Sequence, residues 1–178
     1  MWQNIISFWF TELSPKQWFM KDPQIDELIR QRFFSLHQQA ITGELYSWRN
    51  KPLGRLAEII VLDQFSRNFY RDSHLAFAHD SMALVLAQVA VQQGDDLLLN
   101  KPQRQFLYMP YMHSESPLVH EQAEGLFAAL GEPYGKAHAK QHRDIIDRFG
   151  RYPHRNTLLG RTSNAEELAF LKQPGSSF

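Results

Sequence analysis

The sequence predicts an all-α fold, on three observations. Strictly alternating apolar and polar runs, the mark of half-buried strands, are almost absent. Long segments instead repeat apolar side chains at helical spacing. Capping residues and glycines punctuate those segments, and the short connections between them imply antiparallel neighbours stacked in pairs. The expected architecture is a single helical domain over residues 1–172 with about seven or eight helices, followed by a fraying tail, 173–178.

Taken in order, Asp22 and Pro23 read as N-cap and first helical position. The helix they open aligns Ile25, Leu28, Ile29, Phe33 and Leu36 and stops near Gly43. Pro52 opens a second helix through Leu53, Leu56, Ile59, Ile60, Leu62 and Phe65. Ser73 caps a third, which passes Phe77, Leu84 and Val91 and stops at Gly94. Asn100 and Pro102 begin a shorter element through Phe106 and Tyr108, limited by Pro110. Ser116 and Pro117 start the next, which carries Val119, Ala123, Phe127 and Leu130 up to Gly131. A helix around residues 134–149 ends at Gly150, and Ser163 to Glu166 reads as the capping box of a short last helix. The helix-turn-helix lengths approach the roughly 34-residue period of tetratricopeptide repeats, but no repeated residue pattern accompanies it, so periodicity alone supports only a helical array.

Composition narrows the function classes. Of 178 residues, 19 are Lys or Arg and 19 are Asp or Glu, so the net charge is zero. A binder of nucleic acid or anionic membranes carries a basic excess, and neither partner is expected. With no cysteine, disulfides, thiolate metal sites and a thiol nucleophile are excluded. The N-terminal Met1–Phe10 segment lacks early basic residues and a small-residue cleavage site, so no secretory signal is expected. No uninterrupted apolar run approaches the roughly 18 residues of a membrane span. A soluble, cytoplasmic protein is the expectation.

Two polar motifs stand out. The segment from Glu58 to Arg71 begins apolar on nearly every side, as a buried helix does, yet contains Asp63, Gln64, Arg67 and Asn68. Asp63 and Arg67 are four apart and can pair. This group is either an internal ion pair tying the helix to its neighbours or one wall of a polar pocket. The second motif is the stretch from His142 to Asn156. Arg148 sits at a helix C-terminus, where the macrodipole favours it, but Arg151, His154, Arg155 and Arg161 lie beyond. Residues 137–161 hold six basic and two acidic side chains, so the overall neutrality hides one compact basic segment. It is either a solvated loop with internal ion pairs or an anion-recognition loop, for which the planar guanidinium fork is suited.

Weaker signals are His113 with Glu115, a base that a carboxylate could orient. His138 and His142 have the four-residue spacing of metal ligands but no third ligand, so no metal or other cofactor is expected. No nucleophile elbow and no glycine-rich phosphate loop occurs. Trp2, Phe8, Trp9, Phe10, Trp18 and Phe19 form an aromatic block, read as core or, alternatively, as a surface for a homo-oligomer.

Three segments together resemble a known family. Leu62–Asn68, Phe106–Pro110 with His113–Glu115, and Arg148–Asn156 closely match the signature of a widespread bacterial family known as a domain of unknown function. Phe8-Trp9-Phe10 and Leu159-Gly160-Arg161 match too, so the resemblance covers nearly the whole chain. It departs at Ser66, where proline is expected, and at Tyr152, where phenylalanine is common. The resemblance implies a tetratricopeptide-like right-handed superhelix and no particular activity.

The function expected from these readings is a pocket for an anionic small molecule or an acidic group. Asp63, Gln64, Arg67, Asn68, Arg148, Arg151, His154 and Arg155 are its candidate binding residues. His113, His154 and Glu115 are the candidates for proton transfer. The alternatives are a concave face that holds an acidic peptide, or a purely structural polar network.

Overall fold

The structure is a computed structural model and describes residues 1–132 and 135–177. It is all-helical, with no strand among the described residues. The α-helical segments are α1 (Trp2–Ser7), α2 (Pro23–Ile41), α3 (Pro52–Ile60), α4 (Ser66–Phe69), α5 (Asp80–Gln93), α6 (Lys101–His113), α7 (Pro117–Leu130), α8 (Lys136–Phe149) and α9 (Ala165–Phe170). A π-helical turn, Val61–Phe65, joins α3 and α4 into one rod, and another, Phe8–Glu12, extends α1.

The rod from α3 to α4 is the axis of the protein. Every residue from Gly54 to Ser66 is buried, and α3 packs against α1, α5 and α6. Close packing begins at Gly54, where a Cβ would lie 2.2 Å from the carbonyl oxygen of Trp48. Of the N-terminal aromatic block, Phe8 and Trp9 are core, Trp2, Phe10 and Trp18 are partly buried against it, and Phe19 is exposed. Phe8 meets Phe33 at 5.0 Å between ring centres, Phe33 stacks on Phe65 at 5.3 Å, and Trp9 meets Phe106 edge-on at 5.4 Å. Charges buried beside the rod are paired. Arg49 grips Glu58 at 2.6 and 2.8 Å, and Arg55 reaches Asp95 and Gln93, each at 2.6 Å.

Most helix ends fall where their caps predict. The Asp22 carboxylate accepts from the Gln24 N–H at 2.9 Å, and Asn100 forms a reciprocal capping box with Gln103. Four boundaries differ. Ser73 caps only a 3₁₀ turn, His74–Phe77, and the α-helix begins at Asp80. Pro110 does not end α6, which runs on to His113: proline costs one backbone bond, and packing of α6 against α5 and α7 holds the last turn. The last capping box is one residue later than expected, Asn164 with Glu167. The start of the helix expected from residue 134 lies outside the described residues, and α8 begins at Lys136.

The tail residues 173–177 turn back on α9, where Ser176 is buried and its hydroxyl donates to the Leu171 carbonyl at 3.2 Å. One stretch, His74–Gln93, reaches the length and mean hydropathy of a membrane span. It is a 3₁₀ turn followed by an α-helix that starts on Asp80, whose carboxylate binds Arg67.

Candidate functional site

A cavity of about 890 Å³ opens where the end of the central rod, the last turn of α6, α8 and the 3₁₀ turn Pro153–Arg155 meet. Gln64, Arg67, Asn68, His113, His154 and Arg155 line it on the polar side. Trp18, Phe19, Phe77, Met109, Met112 and Leu158 form its apolar walls. His138 and His142 also face it, but His142 spends Nδ1 on the His138 carbonyl at 2.8 Å. Among the described residues no three His, Asp or Glu side chains are grouped to hold a metal ion.

The π turn presents Gln64 to the cavity and holds Asp63, expected among the binding residues, buried behind the lining. It breaks the α-helical register of the rod, a distortion that recurs at functional sites. The Asp63 carboxylate is buried and accepts from Gln64 Nε2 at 2.5 Å, from His113 Nδ1 at 2.7 Å and from Arg67 Nη1 at 3.2 Å. Burial alone would raise its pKa. The Arg67 and His113 charges and the hydrogen bonds outweigh burial and hold it below the usual carboxylate range. An ionised acceptor on Nδ1 makes that nitrogen the protonated one, leaving Nε2 as the lone-pair nitrogen. Burial, with Arg67 nearby, lowers the His113 pKa against the opposing pull of Asp63.

Arg67 is paired through both terminal nitrogens. It donates to the Asp63 backbone carbonyl at 2.7 Å and binds Asp80 bidentately at 2.9 and 3.0 Å. Asn68 donates to Asp26 of α2 at 2.7 Å, and Asp26 also holds Arg71.

Arg155 is different. It is only 7% exposed, and its guanidinium lies between the rings of Phe77 and Tyr152, 4.5 and 4.6 Å from their centres. Its nearest carboxylate oxygen is Asp80 Oδ2, at 3.5 Å. Among the described residues its guanidinium makes no hydrogen bond, only this long ion pair. Burial, then the Arg67 charge, lowers its pKa, yet a guanidinium keeps its charge at any physiological pH. Beside it, burial and Arg155 push the His154 pKa down to about 4, so His154 is neutral.

Three expected site residues lie elsewhere, and the reason is the same for each. Arg148 pairs with Glu166 at the surface at 2.8 Å. Arg151 binds Glu167 at 2.6 and 2.9 Å and the Thr162 carbonyl at 3.0 Å. Glu115 turns away from His113 and accepts from Arg161 at 2.6 and 2.9 Å and from the Tyr152 N–H at 2.8 Å. Each has a partner from the C-terminal segment. The carboxylate that orients His113 is therefore Asp63, fifty residues away in sequence.

Sequence reasoning missed Asp80, which binds one guanidinium and contacts another, and the rings of Phe77 and Tyr152. The phenol of Tyr152 donates to the Met112 carbonyl at 2.5 Å and so ties the late loop to α6. No spacing rule could have found these contacts. The one available signal was an acid at the start of a helix, Asp80, close in sequence to the polar segment.

Fold and site together define a class: an all-helical protein with a mainly apolar cavity bordered by a partly buried ionic network. The chain belongs to the family described as bacterial protein of unknown function (DUF924), which matches residues 5–175. It is similar to the protein of unknown function ATU0120 from Agrobacterium tumefaciens, with 36% identity over 96% of each chain and a TM-score of 0.92. No curated protein matches it.

Proposed function

We propose that the cavity binds a small molecule through an anionic group, a carboxylate or phosphate, seated on Arg155. The observation that carries this reading is the guanidinium itself, buried, charged and without a hydrogen bond among the described residues. A buried donor without an acceptor costs about 1–3 kcal/mol, more when charged, and an arriving anion supplies the acceptors. Arg67, Gln64 and Asn68 border the same space, and Trp18, Phe77 and Met109 provide an apolar flank for the rest of the molecule.

The test is thermal-shift titration with small carboxylates and phosphates on wild type and Arg155→Met. At a hundredfold excess over Kd, binding adds about 2.7 kcal/mol, a Tm rise of roughly 5–10 °C in a chain of this size. The rise should vanish in R155M. A rise that survives in R155M overturns the reading. Stabilisation by an acidic peptide but by no free acid would make the site a peptide groove instead.

The tetratricopeptide-like superhelix belongs to the same proposal. The serial packing of α5 on α6, α6 on α7 and α7 on α8 supports it. The contacts of α3 with α1, α5 and α6 depart from a repeat array in which each unit touches only its neighbours. A cytoplasmic location, suggested by the absence of cysteine, is also proposed. A homo-oligomer through the aromatic block stays part of the proposal: Phe8 and Trp9 are buried, but Phe19 is 60% exposed.

A further inference from the structure

One group facing the cavity that anion binding does not use is His113. Its Nδ1 is taken by Asp63 at 2.7 Å. Among the described residues its Nε2 has no hydrogen-bond partner, and the ring lines the cavity. Asp63 is itself locked by Gln64 and Arg67, so the imidazole is held in one tautomer and one orientation. This is the geometry of a base and its orienting carboxylate.

We propose that the Asp63–His113 pair makes the cavity a hydrolytic site for small esters and acyl phosphates that carry an anionic group. The inference rests on the reading of Arg155 as the anion's seat. His113 would be the catalytic residue and Asp63 a positioning residue.

The chemistry is narrowed by what surrounds Nε2. The chain has no cysteine. Among the described residues no hydroxyl bonds to His113, and Ser66 is engaged by His37 and the Leu62 carbonyl. Water is therefore the nucleophile. An imidazole whose basicity is reduced by burial is too weak to deprotonate carbon beside a carboxylate, but it suffices for water attacking an acyl carbon. In the step, Nε2 takes one proton from water as the water oxygen bonds to the acyl carbon. The tetrahedral oxyanion collapses and the bond from acyl carbon to the leaving oxygen breaks. The imidazolium returns its proton to that oxygen, or to the solvent when the leaving group is phosphate. The products are the free acid and an alcohol or phosphate, with no co-reactant besides water.

Three probes test this on the whole chain: 4-nitrophenyl hemiadipate, 4-nitrophenyl acetate and acetyl phosphate. The first and third carry an anionic group and separate the carboxylate source from the phosphate source. The second shares the leaving group of the first but has no anion. We expect hydrolysis of at least one anionic probe, at a kcat/KM roughly tenfold or more above that of the acetate. His113→Gln, checked for folding by circular dichroism, should lose about a hundredfold in kcat, whereas Arg155→Met should raise KM and erase the preference for the anionic probe. The rate should climb with pH and level off below 6.5, because the neutral imidazole is the active form and its pKa is lowered. Asp63→Asn should shift the nitrogen-15 signals of His113 away from a single Nδ1–H tautomer. Wild type no faster than H113Q on all three probes overturns the proposal. If carboxylates or phosphates still stabilise the wild type, only the hydrolytic inference falls; if they do not, the binding reading falls with it.

Discussion

Arg151 and Arg155 lie four residues apart on one loop and have opposite fates. Arg151 saturates a carboxylate of α9 and a backbone carbonyl. Arg155 is the more buried, yet it is held only by two aromatic rings and a distant carboxylate oxygen. The same contrast separates their surroundings. Around Arg151, the Glu115–Arg161 and Arg151–Glu167 pairs close on themselves and pin the C-terminal segment to the end of α6. Around Arg155, the network is complete as far as Arg67 and stops short at the cavity wall. A network closed on itself stabilises a fold. One that ends on an open donor or acceptor, here Arg155 and Nε2 of His113, is where the proposed ligand would make its contacts.

Breaking the closed part of the cavity network should have the largest effect. Arg67→Met leaves the buried Asp63 and the half-buried Asp80 without their main counter-charge, and should cost about 3–5 kcal/mol, a fall in Tm of roughly 10 °C in a thermal melt. Next comes the sharpest test of the contrast. Arg155→Met should keep or raise the Tm of the free protein, because an apolar chain of similar length removes an unfilled charge while keeping the ring contacts. A fall as large as that of Arg67→Met would erase the difference between the two arginines.

The third effect is acid sensitivity. His142 and His37 are buried and His154 is half-buried, with pKa values lowered to about 3, 4 and 4. The unfolded chain binds these protons below pH 6.5 and the folded one does not, so their contribution is full above 6.5 and is lost as pH falls toward 4. Glu167, lowered to about 2 first by its bond from Arg151, adds a loss below the ordinary carboxylate range, near pH 4.5, continuing toward 2. Denaturation midpoints measured from pH 8 to pH 3 should show the histidine slope first, and His154→Gln should flatten it. The smallest effect is expected at the surface of the comparison. Glu167→Gln should lower Tm by a few degrees and leave any ligand-induced shift intact; loss of that shift would join the two networks.

Much of the cavity's polar lining was legible in the sequence. Asp63 and Arg67 pair across one helical turn, as their spacing requires, and the apolar flanks of that segment foretold its burial. Gln64, Asn68, His113, His154 and Arg155 reach one cavity with Arg67. Arg148, Arg151 and Glu115 do not, because each meets an opposite charge more than fifteen residues away. The helix boundaries divide in the same way. Asp22, Asn100, Gly94 and Gly150 mark ends through bonds within their own turn or through a left-handed backbone. Pro110 and Ser73 mislead, because the fate of α6 and the start of α5 are settled by neighbouring helices.

By itself, then, the sequence determined the helical class, the course of the buried rod and the residue types that line the cavity. These follow from periodicity, caps and the cost of burying charge, all of which act within a few turns of chain. Tertiary structure alone decided that Asp63 orients His113, that Asp80 lies between Arg67 and Arg155, and that Phe77 and Tyr152 clamp Arg155. Hydrogen bonds and ion pairs act over about 3 Å, and only packing brings residues fifty positions apart within that reach.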